Sequence, residues 1–393
     1  MLKINRRNFF KGFSAGLLGL GLKNSLSPLA KEDQIARQIK INQYKSLGNT
    51  GLKVSDIAFG GSTIFSADVV RFAFEMGVNL FDTAESYMNG KSEEYVGAGL
   101  KGVRDKAFII TKYTYRGEAA VRKDDVLERI NRSLKRLHTD YLDVAFIHGI
   151  NDLDALTDGP LLAAYEQLKR DGKIRFPGFS THNAPLTLEQ CLKPEWKDFS
   201  QVVLFIYNHM EGQKIEALVK KVREAGIGTI AMKSQAGGKQ GNLKSFVNEK
   251  ESYETAAVKW VLGRDHIDSC VITMTTFSHV EEFVQASGKT LQEKELALLG
   301  KYRKNVDRSY CRLSCHECES SCPDQVAISD VMRFAMYFQD YGHEKNALHY
   351  YAQLADEGKP LKCWQCPGFC NRVCPFGLEV KEKLLQAHTL LSV

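Results

Sequence analysis

The strongest constraint on this chain is a unit that recurs eight times. From Tyr44 onward a short apolar run is followed by a segment whose apolar residues fall at helical spacing. The runs are Asp56 to Gly60, Val78 to Asp82, Phe108 to Lys112, Val144 to His148, Arg175 to Ser180, Val202 to Tyr207, Gly228 to Lys233 and Ser269 to Thr273. Between them, segments such as Asp68 to Met76, Asp125 to Leu137, Leu161 to Arg170 and Lys214 to Ala225 carry Lys, Arg and Glu on the face opposite their apolar stripe. Alternating strand and helix patterns specify a parallel sheet covered by helices. Eight units over roughly 250 residues predict a closed (β/α)8 TIM barrel. A doubly wound open sheet is the competing α/β architecture, but no G-x-G-x-x-G follows the first strand. In such a barrel, reactive groups stand at the strands' C-terminal ends, and here those ends carry Asp82, Lys112, His148, Ser180, Tyr207 and Lys233. A polar strand end alone is usually an ordinary loop residue; the combination is what points to chemistry.

Residues 1–30 read differently. Asn5-Arg6-Arg7-Asn8-Phe9-Phe10-Lys11 precedes a Gly-rich apolar run from Gly12 to Leu22, then small and turn-forming residues up to Ala30. The run is well short of the ~20 residues that span a bilayer. The segment resembles a twin-arginine signal peptide, which implies recognition by the twin-arginine export machinery and a periplasmic destination. A basic amphipathic helix lying on a membrane surface is the plainer alternative. The segment holds five Lys or Arg and no acid, so the rest of the chain keeps only +1 of the formal charge of +6. A near-neutral body gives no electrostatic case for nucleic acid.

Three stretches resemble the catalytic segments of the aldo-keto reductase family: Phe81-Asp82-Thr83-Ala84-Glu85-Ser86-Tyr87, Ile110-Thr111-Lys112-Tyr113, and Tyr141 to Gly149, which ends Phe146-Ile147-His148-Gly149. The Leu47-Gly48-Asn49-Thr50-Gly51-Leu52 hairpin and Gly172-Lys173-Ile174-Arg175 extend the likeness over roughly residues 44–290. The resemblance implies a catalytic tetrad of Asp82, Tyr87, Lys112 and His148 acting on a small carbonyl or alcohol substrate. The chemistry is independently sensible. Hydride addition to a carbonyl leaves an alkoxide that needs a proton, which a tyrosine can supply if a nearby cation lowers its pKa from about 10. Lys112 is the candidate cation, Asp82 its anchor, and His148 the group that orients the carbonyl oxygen. The family also implies a nicotinamide nucleotide, NADP or NAD. Ser180 would hydrogen-bond the nicotinamide, Tyr207 would stack on it, and Lys233 and Thr276 would be further contacts. Thr181-His182-Asn183 and Leu204 depart from the pattern, since leucine neither donates nor accepts a hydrogen bond. The stretch Thr273 to Glu282 offers no Lys or Arg for a 2′-phosphate.

Eight of the ten cysteines follow residue 310, as Cys311-x3-Cys315-x2-Cys318-x3-Cys322-Pro323 and Cys363-x2-Cys366-x3-Cys370-x3-Cys374-Pro375. This resembles the bacterial two-cluster ferredoxin pattern, each run one residue longer than usual, and implies two [4Fe-4S] clusters in a small α-helical domain over 301–393. The usual rule would assign Cys311, Cys315, Cys318 and Cys374 to one cluster and Cys363, Cys366, Cys370 and Cys322 to the other. One run per cluster, two structural zinc sites and a disulfide framework stay open as alternatives. Two helical patterns between the runs, Ala327 to Gln339 and Lys345 to Glu357, read as that domain's core. Cys270 reads as a buried small hydrophobe.

Together these features predict an exported oxidoreductase that interconverts a carbonyl and an alcohol and has electrons linked to iron–sulfur clusters. The alternative is a non-catalytic electron-transfer or redox-partner subunit whose barrel serves as a scaffold.

Overall fold

The computed structural model describes residues 39–115, 121–156, 159–237, 252–306 and 309–392. The expected signal peptide, residues 1–30, lies outside them.

A hairpin comes first. Strands β1 (Tyr44–Ser46) and β2 (Lys53–Ser55) pair antiparallel. Eight strands follow: β3 (Ile57–Gly60), β4 (Leu80–Asp82), β5 (Phe108–Thr114), β6 (Leu142–His148), β7 (Ile174–Thr181), β8 (Val202–Ile206), β9 (Gly228–Met232) and β10 (Ser269–Thr273). Each pairs parallel with its neighbour, and β10 closes on β3, so the predicted barrel forms. The strands match the eight apolar runs to within one or two residues, because a strand buried on both faces must be apolar almost throughout. Helices α1 (Ala67–Glu75), α2 (Lys91–Gly99), α3 (Lys123–Leu137), α4 (Gly159–Arg170), α5 (Ala184–Gln190), α6 (Gly212–Glu224), α7 (Tyr253–Leu262), α8 (Phe277–Val284) and α9 (Glu293–Val306) accompany them.

Helix α3 illustrates the local code. Val126, Ile130, Leu134 and Leu137 recur at helical spacing and are buried. Asp124 and Asp125 open the helix and Lys135 and Arg136 close it, matching the helix dipole at both ends. His138, in the left-handed region at φ 52°, stops it.

Inside the barrel, Leu80, Ile110, Val144, Phe146, Val202, Leu204 and Ile230 pack with Leu47, Leu52 and Val54 of the hairpin, which plugs the end from which the strands enter. Alternation along a strand then decides what stands at the open end. Two residues beyond Leu80, Ile110 and Phe146 come Asp82, Lys112 and His148.

The remaining helices are α10 (Ile328–Gln339), α11 (Glu344–Ala352), α12 (Phe369–Val373) and α13 (Val380–Leu391). Ile328, Val331, Met332, Ala335, Ala347, Tyr351, Val380, Leu384 and Leu391 form their own apolar core, with Cys363 and Cys370 inside it and Cys311, Cys318, Cys322 and Cys374 packed against it. Glu211 fastens the first cysteine run to the barrel by accepting from the Ser314 backbone N–H (3.1 Å) and hydroxyl (2.8 Å). The pattern read from Lys345 to Glu357 is helical only as far as Ala352.

Candidate active site

Where the strands end, a cavity of about 550 Å³ opens, within the usual size of a small-molecule site. Asp82, Tyr87, Lys112 and His148 all line it, as do Ser180, Leu204, Met232 and Lys233.

Lys112 is the hub. It is 1% exposed, and its ammonium lies 2.6 Å from Asp82 Oδ1, 2.8 Å from the Thr83 carbonyl and 3.4 Å from the Tyr87 hydroxyl, to which it donates. Burial lowers the pKa of Lys112 and raises that of Asp82, and each is opposed by the other's charge. Tyr87 sits on the segment after β4, which Glu85 ties down by accepting from the Thr114 backbone N–H at 2.8 Å and Arg129 Nε at 3.0 Å. Its hydroxyl is pushed well above the ordinary tyrosine pKa, by burial first and then by the Asp82 carboxylate. This corrects the expectation that Lys112 would favour a phenolate. Burial and the Asp82 carboxylate both favour the neutral phenol, so the resting tyrosine keeps its proton.

The His148 ring stands 5.6 Å from that of Tyr87, edge-on. Its Nδ1 faces the hydroxyls of Thr114 (3.4 Å) and Ser86 (3.5 Å). When either hydroxyl donates to Nδ1, the ring's single proton sits on Nε2, where it can be donated to a ligand. Burial, then the cations Lys112, Arg333 and Lys233, hold its pKa well below the usual histidine range, so the ring is neutral at pH 7. A phenol that keeps its proton and a neutral imidazole that can donate one hydrogen bond converge on one spot, which suits a carbonyl oxygen acquiring negative charge.

The residues expected to hold a nicotinamide divide. Ser180 Oγ accepts from the Gly149 N–H at 2.9 Å, leaving its own proton for a ligand in the cavity. Leu204 and Met232 supply an apolar floor. Tyr207 does not join them. It is fully buried, its hydroxyl lies 2.9 Å from His266 Nε2, and its ring packs on Trp260 of α7 at 5.6 Å. Strand parity explains this: Leu204 points inward, so Phe205 does not, and neither does Tyr207. Thr276 is an exposed helix cap whose hydroxyl accepts from the His279 N–H, at the start of α8 and outside the cavity lining. Lys233, at φ +55°, reaches the cavity, and its Nζ donates to Tyr337 at 2.8 Å. The residues present therefore suit the carboxamide and ring of a nicotinamide through Ser180, Leu204 and Met232, without the expected stacking tyrosine.

No pattern of residues signals that α10 roofs this cavity. One face of the helix is core, as expected, but Arg333, Phe334 and Tyr337 line the space above the tetrad, with Tyr341, His343 and Tyr350 beyond.

Residues 60–246 match the aldo/keto reductase family. Over those residues the barrel is similar to that family. The L-galactose dehydrogenase of Arabidopsis thaliana is 29% identical over 282 residues, 62% of this chain and 88% of that protein. An Arabidopsis protein named as a probable voltage-gated potassium channel β subunit is 35% identical over 121 residues, 27% of this chain and 37% of that protein. Among solved structures, the holo form of an aldo-keto reductase from Bacillus halodurans superposes with a TM-score of 0.56 at 23% identity, covering 66% of this chain and 95% of that one, a likeness of fold. The chain is thus an oxidoreductase whose barrel, similar to those of aldo/keto reductases, carries a helical extension over its mouth.

The extension's eight thiols lie close to one another, most of them around its apolar core. Burial, then the nearness of Cys318, Glu211, Cys315 and Cys374, raises the pKa of Cys311; Cys315 also feels Cys374, and Cys318 feels Cys315, Cys370 and Cys374. Cys322, Cys363, Cys366 and Cys370 line one small cavity together. All ten cysteines are unpaired thiols. Among the described residues, no three His, Cys, Asp or Glu side chains converge as a single metal ion requires. Cys191 and Cys270 stand apart, both buried, with thiols pushed up to about 12 by burial.

Proposed function

We propose that this oxidoreductase reduces a small carbonyl compound to an alcohol with a nicotinamide nucleotide, NADP or NAD, and carries two [4Fe-4S] clusters for exchange with a redox partner. The observation that carries the reading is the cluster of Asp82, Lys112, Tyr87 and His148 at the floor of one cavity.

A bound nicotinamide supplies a hydride, two electrons together. The chain's own residues do the rest. Tyr87 and His148 Nε2 hold the carbonyl oxygen, and Tyr87 passes its proton to that oxygen as negative charge develops. Lys112 then stands next to the phenolate until solvent returns the proton. The cavity's apolar floor and the α10 roof exclude water, which strengthens each of these hydrogen bonds.

The cluster reading is supported by the two four-cysteine runs, each ending in Cys-Pro, and by the grouping of Cys322 with Cys363, Cys366 and Cys370 around one small cavity, which accords with the crossed assignment of ferredoxins. Export by the twin-arginine route, to the periplasm, rests on Arg6-Arg7 and the apolar run behind them. A second reading, a scaffold within a larger redox or channel assembly, draws on the potassium-channel β-subunit relative; the intact tetrad favours the enzyme.

The test is visible and EPR spectroscopy of anaerobically purified full-length protein before and after NADPH or NADH, with dithionite as the reducing control. Cluster signals that dithionite reveals are expected. A protein that holds no iron sinks the cluster reading, and nucleotide that neither binds nor is oxidised with any of a panel of aldehydes sinks the reductase one.

A further inference from the structure

The cavity contains a second lysine and tyrosine that the reduction does not use. Lys233 closes β9 in a left-handed backbone conformation, φ +55°, which a non-glycine residue adopts at a cost, so its side-chain direction is held against strain. Its ammonium is 2.8 Å from the Tyr337 hydroxyl and 4.8 Å from the centroid of that ring. One helical turn before Tyr337 on α10, Arg333 reaches the same space. Arg333 is 8% exposed; one Nη bonds Asp330 at 2.5 Å, while its Nε is buried with no hydrogen-bond partner. A buried guanidinium N–H left unmatched is costly, and an acceptor supplied by a ligand would satisfy it.

Positive charge outweighs negative around this spot, where Asp330 pairs with Arg333 and Lys233 has no carboxylate at hydrogen-bond distance among the described contacts. Arg333 and Lys233 both depress His148 and His182, which line the cavity beside them. They also pull Tyr337 below the ordinary tyrosine value against the opposing effect of burial. Lys112, the cavity's third cation, is already matched by Asp82. The carboxylates of Glu254 and Glu282 share the Ser252 hydroxyl.

We propose that Lys233, Arg333 and Tyr337 form an anion-binding subsite that selects substrates carrying a carboxylate or phosphate group in addition to the reacting carbonyl. The anion would take the Arg333 Nε–H and the Lys233 ammonium, with the Tyr337 hydroxyl as a third donor, while Tyr87 and His148 hold the carbonyl. Two of the three donors come from α10, so the helical extension completes the substrate site. The substrate class rests on the reductase reading; the anion site itself does not.

The test uses the full-length protein and small probes. Turnover of 4-carboxybenzaldehyde is compared with that of its neutral methyl ester in wild type, Arg333→Gln and Arg333→Lys, and the binding of benzoate and of benzyl alcohol is followed by calorimetry. Expected is a KM for the acid at least tenfold higher in Arg333→Gln, with kcat and the ester's KM unchanged, partial rescue in Arg333→Lys, and a parallel loss of benzoate binding. Equal effects on acid and ester overturn the proposal. A rise in the NADPH dissociation constant with benzoate binding unchanged also overturns it, because the cations then serve a nucleotide phosphate. If neither aldehyde turns over, the reductase reading fails and benzoate still decides the subsite: binding tighter than benzyl alcohol and lost in Arg333→Gln supports it, equal binding ends it. Lys233→Met, on the barrel side, repeats the binding comparison should Arg333→Gln not fold.

Discussion

Two lysine–tyrosine pairs face one cavity with opposite consequences. In the barrel, Lys112 donates to Tyr87 at 3.4 Å, and Tyr87 holds its proton more tightly than a free tyrosine. In the roof, Lys233 donates to Tyr337 at 2.8 Å, and Tyr337 holds its proton less tightly. Burial acts on both rings in the same direction. The difference lies in the company of each lysine. Asp82 sits 2.6 Å from Lys112 and adds its own negative charge to the surroundings of Tyr87. Lys233 has Arg333 nearby instead, and on Tyr337 the two cationic fields outweigh the opposing field of Asp330. A lysine beside a tyrosine therefore says little until the next charge is known. The same two residue types make a proton donor in one place and an anion receptor in the other.

The largest expected break in this comparison is between Tyr87→Phe and Tyr337→Phe. Loss of the proton donor should cost turnover about 10²–10⁴-fold, the usual contribution of a positioned acid. Tyr337→Phe should leave kcat for neutral aldehydes within about twofold and act on the KM of anionic ones. Steady-state kinetics of the two variants measure this. Equal losses in kcat would mean that the roof tyrosine takes part in the chemistry.

Next in size is Asp82→Asn. The substitution leaves the Lys112 ammonium buried without its counter-ion, an arrangement that typically costs about 3–5 kcal/mol of stability. It should also free the lysine's field to act on Tyr87, so that the barrel pair comes to resemble the roof pair. The alkaline limb of the pH–rate profile should move to lower pH, and a limb that stays in place would show that burial alone sets the Tyr87 proton affinity.

Much of this was legible in the sequence because the governing rule is periodic. Alternation along parallel strands carries Leu80 to Asp82, Ile110 to Lys112 and Phe146 to His148, and the same parity turns Tyr207 outward from Leu204 and brings Met232 inward. Tyr207 was misplaced by following residue type over parity. The roof was not legible. Helix α10 shows an apolar stripe whichever neighbour it has, and only the fold brings Arg333 and Tyr337, about a hundred residues after Lys233, over the barrel. Nor could sequence give the sign of either tyrosine's shift, since that depends on whether a carboxylate or a guanidinium stands behind the lysine. The apolar runs report burial; they do not report which charges become neighbours.

The smallest expected effect is also the sharpest test of the contrast, because it reads proton affinity directly. Burial raises the pKa of Tyr87, Tyr165, Tyr253, Tyr302 and Tyr310, while Tyr337 is lowered. Ultraviolet titration of the folded protein should therefore show an early tyrosinate phase below the ordinary value of about 10 that disappears in Tyr337→Phe and persists in Tyr87→Phe. The stability consequences have opposite signs. A raised tyrosine contributes stability below about pH 10 that is lost as pH climbs toward its folded value, whereas Tyr337, whose folded value is depressed, contributes above about pH 10 and nothing at neutrality. Tyr337→Phe should accordingly melt like wild type at pH 7, apart from the lost hydrogen bond, and fall away faster in alkali. An early phase that survives in Tyr337→Phe would place the acidic tyrosine elsewhere and remove the physical basis for distinguishing the two pairs.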